Sequence, residues 1–78
     1  MSKLPVMRAA KLIPILLRLG FQIMRQRGSH VHLAHLVDKK RKVTVPMHNK
    51  DLPKKTLLSI LQQAQISLQD FLRLMWRK

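Results

Sequence analysis

Residues 25–33 read RQRGSHVHL, and Gly28-Ser29 stands at their centre between two arginines and two histidines. The flanking segments FQIMRQR and HVHLAHLV contain residues that suit β-strands. A glycine at the first position of a two-residue loop is typical of a type II′ turn, whose twist matches that of paired strands. The segment therefore predicts a β-hairpin, from which the rest of the fold can be built.

The hairpin register predicts which side chains share a face of the sheet. A two-residue loop pairs Arg27 with His30 and Arg25 with His32, and directly opposed residues project to the same side. Met24, Val31 and Leu33 should then project to the other side, toward the helices. Phe21 and Ile23 do not fit this alternation, so we expect a bulge or an early start of the strand. A slip of one residue would reverse every one of these faces.

The remaining segments predict helices around this hairpin. Apolar residues at helical spacing indicate a helix over about 7–19, bent near Pro14, and KVTVP alternates as a third strand. Residues 51–64 form a second helix that Asp51 can cap, and 66–78 a short third helix with capping-box spacing between Ser67 and Asp70. Three strands need cover on one face. We therefore predict a two-layer α+β domain over residues 1–78, with the helices on one face of an antiparallel sheet. The apolar stripes are Ala9, Leu12, Ile13, Leu16 and Leu17; Leu57, Ile60, Leu61 and Ala64; and Leu68, Phe71, Leu72 and Met75.

The charge balance is extreme for so short a chain. Sixteen Lys and Arg face three Asp, which gives a net charge of +13 over 78 residues. Such an excess attracts polyanions, yet 46% of the residues are hydrophobic, so the chain is not a disordered basic tail. RNA, DNA, an anionic membrane or an acidic protein are the candidate partners. The apolar segments are too short to span a membrane, and MSKLPVMRAAK lacks a signal-peptide core, so we expect a cytoplasmic protein.

Histidines beside arginines suggest chemistry on RNA. Cleavage by the 2′-hydroxyl needs a base for its proton and positive charge near the phosphorus, which His and Arg can supply without a metal. The alternative is that His30 is an ordinary strand residue next to a turn. We expect no metal site, because four histidines without a thiol or a nearby carboxylate do not complete a ligand set.

The combined motifs resemble the HicA family of bacterial toxins. The resemblance runs from about Leu19 to the C-terminus, through RQRGSHVHL and VTVPMHNKDLPKKTLLSILQQAQIS. It implies a fold like that of double-stranded-RNA-binding domains (dsRBD-like) and an endoribonuclease that cleaves mRNA. It also implies a HicB antitoxin that blocks the site. By the same resemblance His30 is the catalytic residue, and Gly28 and Ser29 form its turn.

Two positions depart from the family pattern. Many members have a second histidine directly after the first, where this chain has Val31 and then His32. Many also have glycine where this chain has Lys55, which suggests a different backbone at the start of the helix. No cofactor is expected. The expected substrate contacts are Arg25, Arg27, Gly28, Ser29, His32, Lys54 and Lys55.

Three further features leave alternatives open. The run DKKRK at 38–42 suits a solvated turn as well as a phosphate contact. With one Trp and no Tyr, the chain lacks the stacking platforms of single-strand binders, and Trp76 should pack at the C-terminal helix or at a partner interface. A non-catalytic RNA-binding module would explain charge and fold equally well, whereas a basic membrane-active peptide fits the three strands poorly.

Overall fold

The computed structural model describes residues 6–48 and 50–76, with the side chain of Trp76 left out. The order of elements is one helix, three strands and two helices, as the sequence predicts. The arrangement is an α+β fold consistent with the dsRBD-like class. The elements are α1 (Ala9–Arg18), β1 (Phe21–Arg27), β2 (His30–His35), β3 (Lys42–Pro46), α2 (Lys54–Ala64) and α3 (Leu68–Trp76).

The three strands form one antiparallel sheet in the order β1-β2-β3. The hairpin register is the predicted one, because Arg25 pairs with His32 and Arg27 pairs with His30. Gly28 has a φ of +57°. Ser29 does not have a positive φ, since Gln65 is the only non-glycine residue with one in the described ranges. A positive φ at the first loop position alone is what a type II′ turn requires.

A β-bulge interrupts the ladder between Ile23 and Arg25, and it corrects the prediction for Met24. Met24 is the extra residue of the bulge, and its side chain is 58% exposed rather than packed under the helices. The bulge shifts the alternation of β1 by one residue. Phe21 can therefore be buried on the helical side while Arg25 projects from the opposite face.

The first helix packs on the sheet through a narrower stripe than predicted. Ala9, Leu12 and Leu16 are buried, Ile13 is half-buried, and Leu17 is 45% exposed, so its place in the stripe was wrong. The helix also begins at Ala9 rather than at about residue 7. Pro14 lies on the exposed side, where the carbonyl of Ala10 that it leaves unpaired can be hydrated.

The second helix starts without the predicted cap. Pro53 occupies the N-cap position and no side chain caps the helix, so the prediction for Asp51 was wrong. Asp51 stands two residues before the N-cap. The backbone N–H of Leu52 donates a 2.8 Å hydrogen bond to the carbonyl of Met7. That bond ties the start of α2 to the chain just before α1. The predicted stripe of α2 is buried throughout.

The C-terminal end of α2 leads tightly into α3. Gln65 adopts the left-handed conformation with φ +58°, and the N–H of Ile66 returns to the carbonyl of Leu61. Ser67 then caps α3 as predicted, because its Oγ accepts a 3.1 Å hydrogen bond from the N–H of Asp70. Ile66 and Phe71, which have the spacing of a hydrophobic staple, are both buried.

One apolar core joins the helices to one face of the sheet. The inward residues of the strands include Val31, Leu33 and Val45, each at most 3% exposed, and Phe71 of α3 is fully buried. Arg41 reinforces the far end, since its Nε donates a 2.8 Å hydrogen bond to the carbonyl of Ala64. The helices therefore cover one side of the sheet and leave the other side open, as predicted.

Replacement of Gln65 with glycine should stabilise the fold. Gln65 holds a left-handed backbone, which costs a non-glycine residue about 1–2 kcal/mol, while glycine adopts it without that strain. We expect Gln65→Gly to raise the midpoint of chemical denaturation. Gln62→Gly is the matched control, because Gln62 is an exposed residue inside α2. There glycine should destabilise by about 1 kcal/mol. The same direction of change in both variants would contradict this account.

Candidate functional site

The open face of the sheet carries the four side chains that the hairpin register predicts to lie together. Arg25 and His32 form one opposed pair, and Arg27 and His30 form the next pair toward the turn. His30 is exposed and is flanked on its other side by Pro46 of β3. The imidazole is therefore accessible from solvent, on the side of the sheet away from the core.

His32 is held in one orientation by its neighbour on β3. It is half-buried, and its Nδ1 lies 3.1 Å from the Oγ1 of Thr44, its cross-strand partner. Its Nε2 has no hydrogen-bond partner among the residues described. Thr44 is in turn linked to α2, since its backbone N–H donates to the Oε1 of Gln63. The ring of His32 is thus oriented by a polar contact, whereas no hydrogen bond to the described residues restrains that of His30.

A cavity of about 490 Å³ opens on the same face, beside His32 and away from the hairpin turn. Seven of its nine lining residues were not singled out as site residues from the sequence. The predicted orientation of Met24 was wrong, Thr44 had no role, and Lys39 and Lys42 belonged to a run with two open interpretations. The residues added by the structure are Met24, Leu33, Ala34, Lys39, Lys42, Val43 and Thr44.

The residues of the DKKRK run have different structural roles. Lys39 and Lys42 line the cavity. Arg41 is half-buried and structural, because its guanidinium carbon lies 5.4 Å from the centre of the Phe21 ring. Asp38 forms the turn itself, accepting from the N–H of Lys40 at 3.2 Å and from that of Arg41 at 3.0 Å.

The loop after β3 closes against the hairpin turn. The backbone N–H of Met47 donates a hydrogen bond to the carbonyl of Ser29. This bond connects the second residue of the turn to the loop after β3. A Cβ added at Gly28 would meet nothing within 4 Å, so this turn is open to solvent. His48 follows in the same loop and is exposed.

Lys54 and Lys55 lie at the hairpin end of the molecule but in the helical layer. The link between Leu52 and Met7 places the start of α2 at this end, while the contact between Arg41 and Ala64 places its end at the other. Both lysines are exposed. The backbone at Lys55 is ordinary helix without a positive φ, so the structure requires no glycine there.

His35 has a structural role on the helical side of the sheet. Its Nδ1 accepts hydrogen bonds from the N–H groups of Val37 and Asp38 at 3.2 and 3.1 Å. The ring stands edge-on to Phe21, with 5.1 Å between centroids. The ring of His35 therefore lies on the face of the sheet opposite to His30 and His32. Within residues 6–48 and 50–76, no cluster of three or more His, Asp or Glu could hold a metal ion.

The cations of the open face are not neutralised by nearby acids. In the described part of the chain, one ion pair is present, between Arg73 and Asp70 of α3 at 3.9 Å. Arg25, Arg27, Lys39 and Lys42 therefore present their charge to solvent without a carboxylate partner in those ranges. A face of this kind attracts phosphate groups. No helix in the described ranges is long and apolar enough to cross a membrane.

Two glycines allow a test of how the hairpin is supported. Gly28 and Gly20 both have positive φ, +57° and +96°. A Cβ at Gly20 would also lie 2.9 Å from the Nε2 of His35, whose ring is held by two hydrogen bonds. We expect Gly28→Ala to lower the free energy of unfolding by about 1–2 kcal/mol, and Gly20→Ala to lower it further. If urea titrations gave equal losses for the two variants, the His35 ring would have to move away from the added Cβ at no cost in stability, which would contradict this expectation.

Comparison with known proteins identifies the family. The family model described as HicA toxin of bacterial toxin–antitoxin systems matches residues 9–66, well over half of the 78 residues. A search of curated proteins gave no match. The matched range contains the whole sheet, α1 and α2, and with them the hairpin that carries His30. The chain therefore belongs to the HicA family of toxins from bacterial toxin–antitoxin systems.

Proposed function

We propose that this toxin is a metal-independent endoribonuclease that cleaves mRNA and so inhibits translation, with His30 as its catalytic residue. The observation that carries the proposal is the position of His30. It is exposed on the open face of the sheet, directly opposite Arg27. Arg25 lies two residues before Arg27 on the same face. A phosphodiester lying along this face can meet an imidazole and two guanidinium groups at once.

The proposed reaction uses the nucleophile that RNA itself contains. His30 takes the proton of a 2′-hydroxyl, whose oxygen attacks the adjacent phosphorus. The new bond joins O2′ to phosphorus, the bond from phosphorus to O5′ breaks, and the departing O5′ takes a proton from solvent. Arg25 and Arg27 stabilise the negative charge that develops on the phosphoryl oxygens. His32, whose Nδ1 is engaged with Thr44, is proposed to contact the substrate rather than to transfer the proton.

The RNA strand is held mainly through its phosphates. The cations of the open face supply these contacts, and the turn residues Gly28 and Ser29 border the RNA. Lys54 and Lys55 extend the basic surface around the hairpin end of the molecule. Because the substrate is mRNA, we infer that the toxin acts in the cytoplasm.

We further propose that the antitoxin is of the HicB type and neutralises the toxin by covering the open face. A partner that buries these cations must supply acidic groups, because an uncompensated buried charge is strongly unfavourable. An acidic surface would also speed association with a chain of net charge +13. Covering His30 would then block access of RNA.

A non-catalytic RNA-binding module is the second candidate function. The observation that favours it is the open basic face itself, which would hold structured RNA by shape and phosphate contacts without any chemistry. Incubation of the purified protein with RNA in EDTA separates the two. Fragments that accumulate under these conditions support the nuclease, and intact but bound RNA supports the module.

Replacement of His30 should abolish cleavage without loss of binding. We expect His30→Ala to reduce the cleavage rate by about 10²–10⁴-fold, the usual contribution of general acid–base catalysis, and to relieve growth arrest. Binding of RNA and antitoxin should persist. His48→Ala is the matched control, since His48 is exposed in the nearby loop, and it should retain cleavage. Full toxicity of folded His30→Ala would exclude the proposed role.

RNA affinity should fall steeply with salt. Each phosphate contacted on a single strand contributes about −0.7 to the slope of log K against log salt concentration. We expect Arg25→Gln or Arg27→Gln to make this slope shallower by about that amount. Arg73→Gln is the control, because Arg73 is paired with Asp70 on α3. An affinity that does not change between low and moderate salt would contradict binding through phosphates.

A further inference from the structure

The open face of the sheet contains a cavity as well as a flat surface. The cavity lies between Arg25 of β1, His32 of β2 and Thr44 of β3, and it extends away from the hairpin turn. Its volume of about 490 Å³ is within the range of about 300–1,000 Å³ typical of small-molecule sites. It is therefore large enough for a compact ligand rather than for an ion alone.

The bulge and a small residue create this cavity. Ala34 stands two residues after His32 on the same face, and it is only 6% exposed although no helix of the described ranges covers that side. It lines the cavity, and a longer side chain at this position would take up part of the space. Met24, displaced by the bulge, supplies a wall that is 58% exposed and apolar. A thioether beside a planar group is a favourable contact.

Five of the nine residues that line the cavity are polar: one histidine, one threonine and three cations. His32 and Thr44 contact each other at 3.1 Å, which orients the imidazole and leaves its Nε2 available. Lys39 and Lys42 join Arg25 around the cavity, and no carboxylate is among its lining residues in the described ranges. An apolar wall with one oriented polar pair fits a flat heterocycle, and the cations fit an anion attached to it. Bare phosphate would use only the cations.

We propose that this cavity is a subsite for one nucleotide of the RNA strand, in which Met24 and Ala34 contact the base, His32 and Thr44 contact its polar edge, and Arg25, Lys39 and Lys42 contact its phosphates. This inference rests on the proposed ribonuclease function and extends it. His32 and His30 are two residues apart on β2, about 7 Å along a strand. The nucleotide in the cavity therefore neighbours the linkage that His30 cleaves, and the cavity selects which base stands there.

The first test adds nucleoside monophosphates to the full chain carrying His30→Ala. This substitution is expected to relieve growth arrest, so that cells can produce the protein. The methyl signals of Met24, Ala34 and Thr44 are followed by NMR while AMP, GMP, CMP or UMP is added. Ribose 5-phosphate is the matched probe without a base. We expect at least one nucleotide to shift all three signals, and ribose 5-phosphate, which lacks the base, to shift them much less. Equal shifts with ribose 5-phosphate, or none with any nucleotide, would overturn the subsite.

The second test uses a pair of exposed apolar residues on β1. Met24 lines the cavity, whereas Ile23, 50% exposed, pairs with Leu33 on the helical side of the strand. In the His30→Ala background, Met24→Ser should weaken nucleotide binding by about tenfold, which corresponds to about 1.4 kcal/mol. Ile23→Ser should leave binding unchanged. A loss in both variants, or in neither, would overturn the role of Met24.

A third measurement separates this inference from the function on which it rests. RNA fragments made by the protein with native His30 are sequenced, and the bases beside each cut are compared between the native chain and Thr44→Val. We expect Thr44→Val to cleave more slowly than the native chain and with a changed base preference, because valine keeps the shape but loses the hydroxyl that contacts His32. Cleavage with unchanged preference overturns the subsite alone. Absence of cleavage by the native protein overturns the proposed function, while nucleotide binding in the first test still reports on the cavity.

Discussion

The two-residue turn at Gly28-Ser29 is the constraint on which the rest of the molecule depends. It sets the register of β1 against β2, and that register decides which side chains enter the core and which face solvent. With this pairing, Val31 is buried while His30 and Arg27 are exposed together. The loop after β3 supports the turn through the bond from Met47 to Ser29. The position of the candidate catalytic residue is therefore a consequence of how the hairpin closes.

Charge and core are separated between the two faces of the same sheet. The helical side is apolar, and no polar or charged residue is buried in the described ranges. The open side concentrates cations that have no carboxylate partner in the described ranges. A chain with net charge +13 repels itself in the compact state, so anything polyanionic that binds the open face also relieves that repulsion. Under the proposed function, RNA and antitoxin compete for this same electrostatic stabilisation, and binding of either one should stabilise the toxin.

The architecture was largely predictable because it follows from periodicity and turn chemistry. The element order, the hairpin register and the apolar stripe of α2 agree with the structure. The errors share a cause, which is that local patterns do not report how neighbouring segments use the backbone. Asp51 has the residue type of a cap, but the helix starts later and Pro53 occupies its N-cap position. Leu17 has the spacing of the apolar stripe of α1, but it is 45% exposed. The cavity could not be predicted from the sequence, because its lining residues come from all three strands and from the turn that contains Lys39. The side on which Met24 lies also depends on the bulge in β1. The chemical roles of His30 and its neighbours stay predictions that biochemical measurement must decide.

The bulge at Met24 has a consequence for how β1 can vary in length. Before it, Phe21 and Ile23 face the helices; after it, Arg25 and Arg27 face solvent, although all four positions are odd-numbered. Deletion of one residue elsewhere in β1 would turn either the apolar pair or the two arginines to the opposite face of the sheet. Removal at the bulge would restore a regular ladder and keep both faces, at the expense of the apolar wall beside Ala34. The fold and the proposed base selection are therefore separable at this one position, because deletion there alters the cavity while both faces of the sheet keep their residues.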